Sequence, residues 1–136
     1  MTLTHDALVL DPLKDAQGRV IAYLRLSLTD RCNFRCEYCS VSDYDDPATV
    51  LTRPEIAHLV GIFARLGVRR VRLTGGEPTL RKDVVGIAAD VRATLGVEEV
   101  AITTNGHRLA ELARPLLDAG VGCVNVSLDT LRPDRL

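Results

Sequence analysis

The chain has 136 residues, 26% of them charged and 46% hydrophobic, with a formal net charge of -1. That length allows one ordinary domain with a real core. The near-neutral balance carries no footprint for a polyanionic partner such as nucleic acid, and no run approaches the ~20 apolar residues of a membrane span.

Residues 1–15 mix apolar and polar types without a clear period, and Asp15-Ala16-Gln17-Gly18-Arg19 is expected to turn. Residues 1–18 are therefore taken as an N-terminal extension. The start lacks the basic-then-apolar pattern of a secretory signal, so the chain is expected to be cytoplasmic, where thiols stay reduced. From 23 to 29 the alternation is strict, with Leu24, Leu26 and Leu28 on one face and Tyr23, Arg25, Ser27 and Thr29 on the other. That is a strand between two different environments.

The strand runs into Cys32-Asn33-Phe34-Arg35-Cys36-Glu37-Tyr38-Cys39, three cysteines spaced C-x3-C-x2-C. Three thiolates on one short loop can take three corners of a cubic iron–sulfur cluster, which leaves one iron open to a ligand that is not protein. This spacing resembles the signature of the radical-SAM enzymes. A structural zinc site normally shows four ligands in two spaced pairs. Here Cys123 stands alone, and neither His58 nor His107 sits at a ligand-pair spacing. A disulfide framework calls for an oxidising compartment, to which nothing in the chain points.

Residues 42–46, polar and acidic, are expected to form a surface connection closed by Pro47. Thr52-Arg53-Pro54-Glu55 has the form of a capping box, and Ile56, Leu59, Val60, Phe63 and Leu66 follow at helical spacing until Gly67.

An internal repeat then sets the fold class. Gly67-Val68-Arg69-Arg70-Val71-Arg72-Leu73-Thr74 recurs as Gly96-Val97-Glu98-Glu99-Val100-Ala101-Ile102-Thr103, and again as Gly120-Val121-Gly122-Cys123-Val124-Asn125-Val126-Ser127. Each copy is a helix-stopping glycine, a strand and a terminal hydroxyl. Val84, Ile87, Ala88, Val91 and Leu95 form one intervening apolar stripe and Leu109, Leu112 and Leu116 another, with Pro115 expected to break or restart the second helix. The fold class is α/β, built from parallel βα repeats.

Val71/Leu73, Val100/Ile102 and Val124/Val126 share one parity and are expected to pack under the helices, where Cys123 is also placed. The other parity carries Arg72 and Thr74, Ala101 and Thr103, Asn125 and Ser127, joined by Arg25 and Ser27. Closed (β/α)8 barrels fill their interior with bulky branched side chains. A polar interior instead suggests a ligand cavity in an open or partial barrel, the alternative being a parallel sheet with one wetter face. Ligands in such folds bind at the carboxyl ends of strands. The groups there are the cysteine loop, Thr74-Gly75-Gly76-Glu77-Pro78, Thr103-Thr104-Asn105-Gly106 and Ser127-Leu128-Asp129. Paired glycines let a ligand approach the backbone, and Glu77 can accept from an ammonium group.

Taken together, Leu24-Arg25-Leu26-Ser27-Leu28-Thr29-Asp30-Arg31-Cys32-Asn33-Phe34-Arg35-Cys36 with Tyr38-Cys39, and the three strand-end groups, closely resemble the GTP 3′,8-cyclase family of radical-SAM enzymes. The likeness runs from about residue 19 to the end. It implies the first four or so strands of an open partial (β/α)6 barrel. It implies Cys32, Cys36 and Cys39 as ligands of a [4Fe–4S] cluster, with Tyr38, Gly75, Gly76, Glu77 and Ser127 around S-adenosylmethionine (SAM) and Arg25, Arg72 and Thr103 on GTP. A guanidinium fork suits a triphosphate because it makes two charge-assisted hydrogen bonds at once. The implied chemistry is reductive cleavage of SAM by an electron from a cellular donor. The resulting deoxyadenosyl radical takes hydrogen from C3′ of GTP, and the ribose radical closes on C8. The product is (8S)-3′,8-cyclo-7,8-dihydroguanosine 5′-triphosphate, the first step of molybdenum cofactor biosynthesis.

Two departures stand against that pattern. The family commonly has Met-Pro after the third cysteine, where this chain has Ser40-Val41-Ser42. Residues 1–136 also match only an incomplete barrel domain, without the family's C-terminal half and second cluster region, so this chain is not expected to convert GTP alone. Rival readings are another radical-SAM enzyme, such as a peptide-modifying one, or a non-catalytic iron–sulfur stub.

Overall fold

The computed structural model describes residues 10–40, 46, 50–132 and 134. The expected connection at 42–47 lies outside these residues except for Asp46. Four parallel strands form one sheet in the order β1-β2-β3-β4: β1 is Tyr23–Ser27, β2 Arg70–Thr74, β3 Glu99–Thr104 and β4 Cys123–Val126. Helices α1 (Arg53–Arg65), α2 (Val84–Ala93) and α3 (Leu109–Asp118) fill the connections. The strand–helix alternation and single parallel sheet agree with the expected opening portion of a partial barrel.

The turn at Asp15 forms as expected. Its Oδ1 accepts from the backbone N–H groups of Gln17 and Arg19, each at 2.9 Å, and Lys14 bridges antiparallel to Val20. The N–H of Leu13 donates to the carbonyl of Leu66, so this hairpin ties down an otherwise open acceptor at the end of α1.

The capping box of α1 is complete: Glu55 N donates to Thr52 Oγ1, and Thr52 N donates to Glu55 Oε2 at 2.7 Å. Each helix then ends ahead of the repeated glycine. Gly67, Gly96 and Gly120 have φ of +97°, +96° and +90°, a left-handed bend that a residue with a Cβ adopts only with strain. That shared requirement is the physical content of the sequence repeat.

Between the sheet and the helices lies the core. Val71, Leu73, Val100 and Ile102 are essentially inaccessible, as are Ile56 and Val60 of α1, Val84, Ile87, Ala88 and Val91 of α2, and Leu116 of α3. Each fully buried aliphatic side chain of this size contributes about 1.5–3 kcal/mol.

Four expectations change. Leu95 is 84% exposed, because α2 ends at Ala93 and the stripe stops with it. Pro115 lies inside α3 without interrupting it; both it and Glu111, whose carbonyl loses its usual donor, are exposed residues. Val124 and Val126 are 39% and 47% exposed, because no described element after β4 covers their face. Cys123 does not share their side. It pairs with Ala101 in register and its Sγ lies 3.3 Å from Asn125 Oδ1, since residues two apart in a strand face the same way. Among the described residues, no helix is long and apolar enough to cross a membrane.

Candidate functional site

The parallel register aligns Arg25 with Arg72, Arg72 with Ala101 and Ala101 with Cys123, and it aligns Ser27 with Thr74 and Thr103 with Asn125. These rows lie on the face away from the helices. At their carboxyl ends opens a cleft of about 1240 Å³, lined by the cysteine loop and by the ends of all four strands. Parallel strands bring this about because every βα loop emerges at the same edge.

Cys32 and Cys36 are half-buried and Cys39 is exposed; all are free thiols that line the cleft. The N–H of Phe34 donates to Cys32 Sγ at 3.4 Å, and a tight turn closes with Cys39 N donating to Cys36 O at 3.0 Å. A single metal ion needs sulfurs gathered at about 2.3 Å from one point, and among the described residues no three His, Cys, Asp or Glu side chains gather so. A cluster takes one thiolate on each of several irons, a demand that three separate free thiols around an open cleft fit.

The paired glycines prove to serve the chain's own packing. A Cβ on Gly75 would lie 2.6 Å from Thr29 O, and one on Gly76 would lie 2.2 Å from Arg31 O. The N–H groups of Gly76 and Glu77 donate to those same two carbonyls, each at 2.7 Å. The Gly-Gly turn is thus pressed against the segment leading into Cys32, and both glycines also line the cleft.

Glu77 is tied into the protein. It is 1% exposed, and its Oε1 accepts from Thr79 N, Thr79 Oγ1 and Thr104 Oγ1 at 3.0, 2.5 and 2.7 Å. Its Oε2 accepts from Asn105 N at 2.7 Å. Burying a carboxylate is tolerable only when it is hydrogen-bonded, and here four protein donors meet it. Glu77 also lines the cleft, where Oε2 accepts one hydrogen bond and keeps a second lone pair.

Tyr38 is exposed, with its hydroxyl against Asp129 beyond β4. Hydrogen bonding to that carboxylate, then to Cys36, pushes the phenol well above its ordinary pKa. Ser127 lines the cleft from the end of β4, its N–H donating to Thr104 O at 2.8 Å.

Arg25 and Thr103 also reach the cleft. Arg72 lies beside it: its Nη1 donates to Thr103 Oγ1 at 3.4 Å and its guanidinium stands 5.9 Å from the centre of the Tyr23 ring. Its Nε is buried with no hydrogen-bond partner. A buried donor left in that state carries a cost of about 1–3 kcal/mol, which a bound acceptor removes.

Sequence reasoning did not find the cross-loop contacts. Asn105 Nδ2 donates to Asn33 Oδ1 at 2.9 Å, and the rings of Phe34 and His107 meet edge to face at 6.2 Å. Arg81 likewise carries no local signal, although its Nη1 donates to the carbonyls of Leu28 and Leu51 and its Nη2 pairs with Asp83. Thr104-Asn105-Gly106 was visible as a strand end, but its partner 72 residues away was not.

The strand ends of a parallel sheet thus surround a three-cysteine loop. The chain belongs to the Radical SAM superfamily, which it matches over residues 26–136. Membership of that family implies an iron–sulfur cluster and SAM. The chain is 50% identical over 131 residues to the GTP 3′,8-cyclase of Aeromonas hydrophila, covering 91% of this chain and 38% of that protein. It is 47% identical over 129 residues to the GTP 3′,8-cyclase of Lactiplantibacillus plantarum, covering 93% and 39%. It is 49% identical over 127 residues to molybdenum cofactor biosynthesis protein 1 of Drosophila melanogaster, covering 91% and 22%. The chain thus spans well under half the length of these relatives. Two crystal structures of BtrN share the fold at a TM-score of 0.61. One is an open conformation with 21% identity, covering 86% of this chain and 54% of that one. The other, in complex with AdoMet and 2-DOIA, has 19% identity and covers 93% and 51%.

Proposed function

We propose that this chain forms the radical-generating portion of a GTP 3′,8-cyclase, with Cys32, Cys36 and Cys39 holding a [4Fe–4S] cluster and the cleft receiving SAM and then GTP. The observation that carries this reading is the row of Arg25 and Arg72 beside Thr103, on the polar face leading away from the cysteine loop. A peptide-modifying enzyme has no evident use for two guanidinium groups there, whereas a triphosphate does. The near-half identity to named cyclases supports the same substrate.

The cluster with SAM supplies a hydrogen-abstracting radical; the protein's share is binding and orientation. Gly75 and Gly76 present backbone at the cleft where SAM's methionine end would sit, and Ser127 offers a hydroxyl from the opposite strand. Tyr38, on the cysteine loop, closes the same side by reaching Asp129. Arg72 would turn its unpartnered Nε, and Arg25 its exposed fork, to the phosphates, fixing the ribose relative to the cysteine loop. Thr103 shares Arg72's reach through its hydroxyl.

Anaerobic reconstitution with iron and sulfide, followed by titration with SAM and with GTP, tests this reading. The expected result is one oxygen-sensitive cluster per chain, SAM cleavage on reduction, and GTP binding that weakens when Arg72 is replaced. Binding of zinc in place of iron, or indifference to GTP, would overturn it.

A further inference from the structure

Glu77 holds the segment around Cys32 from both sides. Its backbone N–H donates to Arg31 O at 2.7 Å, on one flank of the cysteine. On the other flank, its Oε2 accepts from Asn105 N at 2.7 Å, and Asn105 Nδ2 donates to Asn33 Oδ1 at 2.9 Å. The orientation of the Asn105 amide is set from behind, because its Oδ1 accepts from His107 N at 3.0 Å and so leaves the NH2 toward Asn33. Oε1 anchors the whole assembly by accepting from Thr79 and Thr104. Since Glu77, Thr79 and Thr104 are all buried, this anchor is shielded from competing water.

We propose that Glu77 is a positioning residue, a buried carboxylate that sets the cysteine loop through Asn105 and Asn33. The functional importance of that loop rests on the cyclase reading above; the relay itself rests on the hydrogen bonds. Asn33 lies between the first two cysteines, so releasing it frees the spacing of Cys32 from Cys36. A loop with that freedom pays the ordering cost when it binds its group, and the relay removes that cost in advance.

Glu77→Gln tests the relay selectively. A glutamine keeps the backbone donor to Arg31 and one oxygen for Thr79 and Thr104. It places an NH2 where Oε2 stood, so that two donors face each other at Asn105. In the metal-free chain, amide hydrogen exchange is the readout. Glu77→Gln should speed exchange of the Asn105 amide by about tenfold and of residues 32–36 several-fold, while β2 and α2 are unchanged. Asn33→Ala, at an exposed position that poses little risk to folding, should loosen 32–36 similarly. The double variant should add nothing more, because both changes break one chain of contacts. Unchanged exchange at 32–36 in Glu77→Gln, additive effects in the double variant, or uniform acceleration through β2 and α2 would each overturn the proposal. Iron uptake by the wild-type chain tests the underlying reading separately, so failure of one is not mistaken for failure of the other.

Discussion

The hydroxyl of Tyr38 lies 2.7 and 2.8 Å from the two carboxylate oxygens of Asp129, joining the cysteine loop after β1 to the loop after β4. The two residues are 91 apart in the chain. Both partners are exposed, so water competes and the contact is an adjustable latch. Tyr38→Phe should leave thermal stability nearly unchanged but raise proteolytic cleavage after β4 a few-fold. Identical cleavage patterns would show that the latch is not closed in solution.

If each thiol holds a separate corner of the proposed cluster, alanine at Cys32, Cys36 or Cys39 should abolish oxygen-sensitive iron uptake. Cys123→Ala should leave iron content unchanged. Cys123 sits on the same face as Asn125, but it starts β4 and does not line the cleft. Iron analysis and the absorption spectrum after anaerobic reconstitution check both arms.

In a full-length relative carrying the same residues, Arg72→Ala and Arg25→Ala should weaken GTP binding by about tenfold or more while sparing SAM cleavage in the absence of GTP. The magnitude follows from a charge-assisted hydrogen bond of about 1.5–3 kcal/mol. Calorimetric titration separates the two ligands. Loss of SAM binding with GTP affinity intact would reverse the assignment.

Gly76→Ala should destabilise the chain by roughly 2–4 kcal/mol, because the new Cβ would stand 2.2 Å from a backbone carbonyl that cannot step aside without moving Arg31. Gly61→Ala is the control: nothing lies within 4 Å of its Cβ, and alanine favours the helix. Urea denaturation of both variants gives the comparison.

The acid limb of stability should involve Asp83 and Asp90. Hydrogen bonding from Arg81 holds Asp83 below the usual carboxylate range, and Arg53 does the same for Asp90, joining α1 to α2. A depressed native pKa means the unfolded chain binds protons first as pH falls. The contribution is therefore fully present above about pH 4 and is lost below it. Melting midpoints should drop through that range, and Asp90→Asn should flatten part of the drop. Added salt should mimic Asp90→Asn, since the Arg53–Asp90 pair is well exposed.

The order of elements was legible in the chain itself. A strand's two-residue period and a helix's capping box act over neighbours, so Leu24, Leu26 and Leu28, the Thr52–Glu55 box and the glycines at 67, 96 and 120 declared themselves. The cysteine spacing was legible for the same reason, three cysteines falling within eight residues. Tertiary structure alone decided what each strand-end group touches. Gly75 and Gly76 looked like room for a ligand and are also room for Thr29 and Arg31; Glu77 looked like an acceptor and also takes donors from Thr79, Thr104 and Asn105. Val124 and Val126 have the parity of buried residues yet stay exposed, because parity fixes only which side a residue faces. Whether anything packs against that side is settled by elements distant in sequence, whose approach leaves no local period to read.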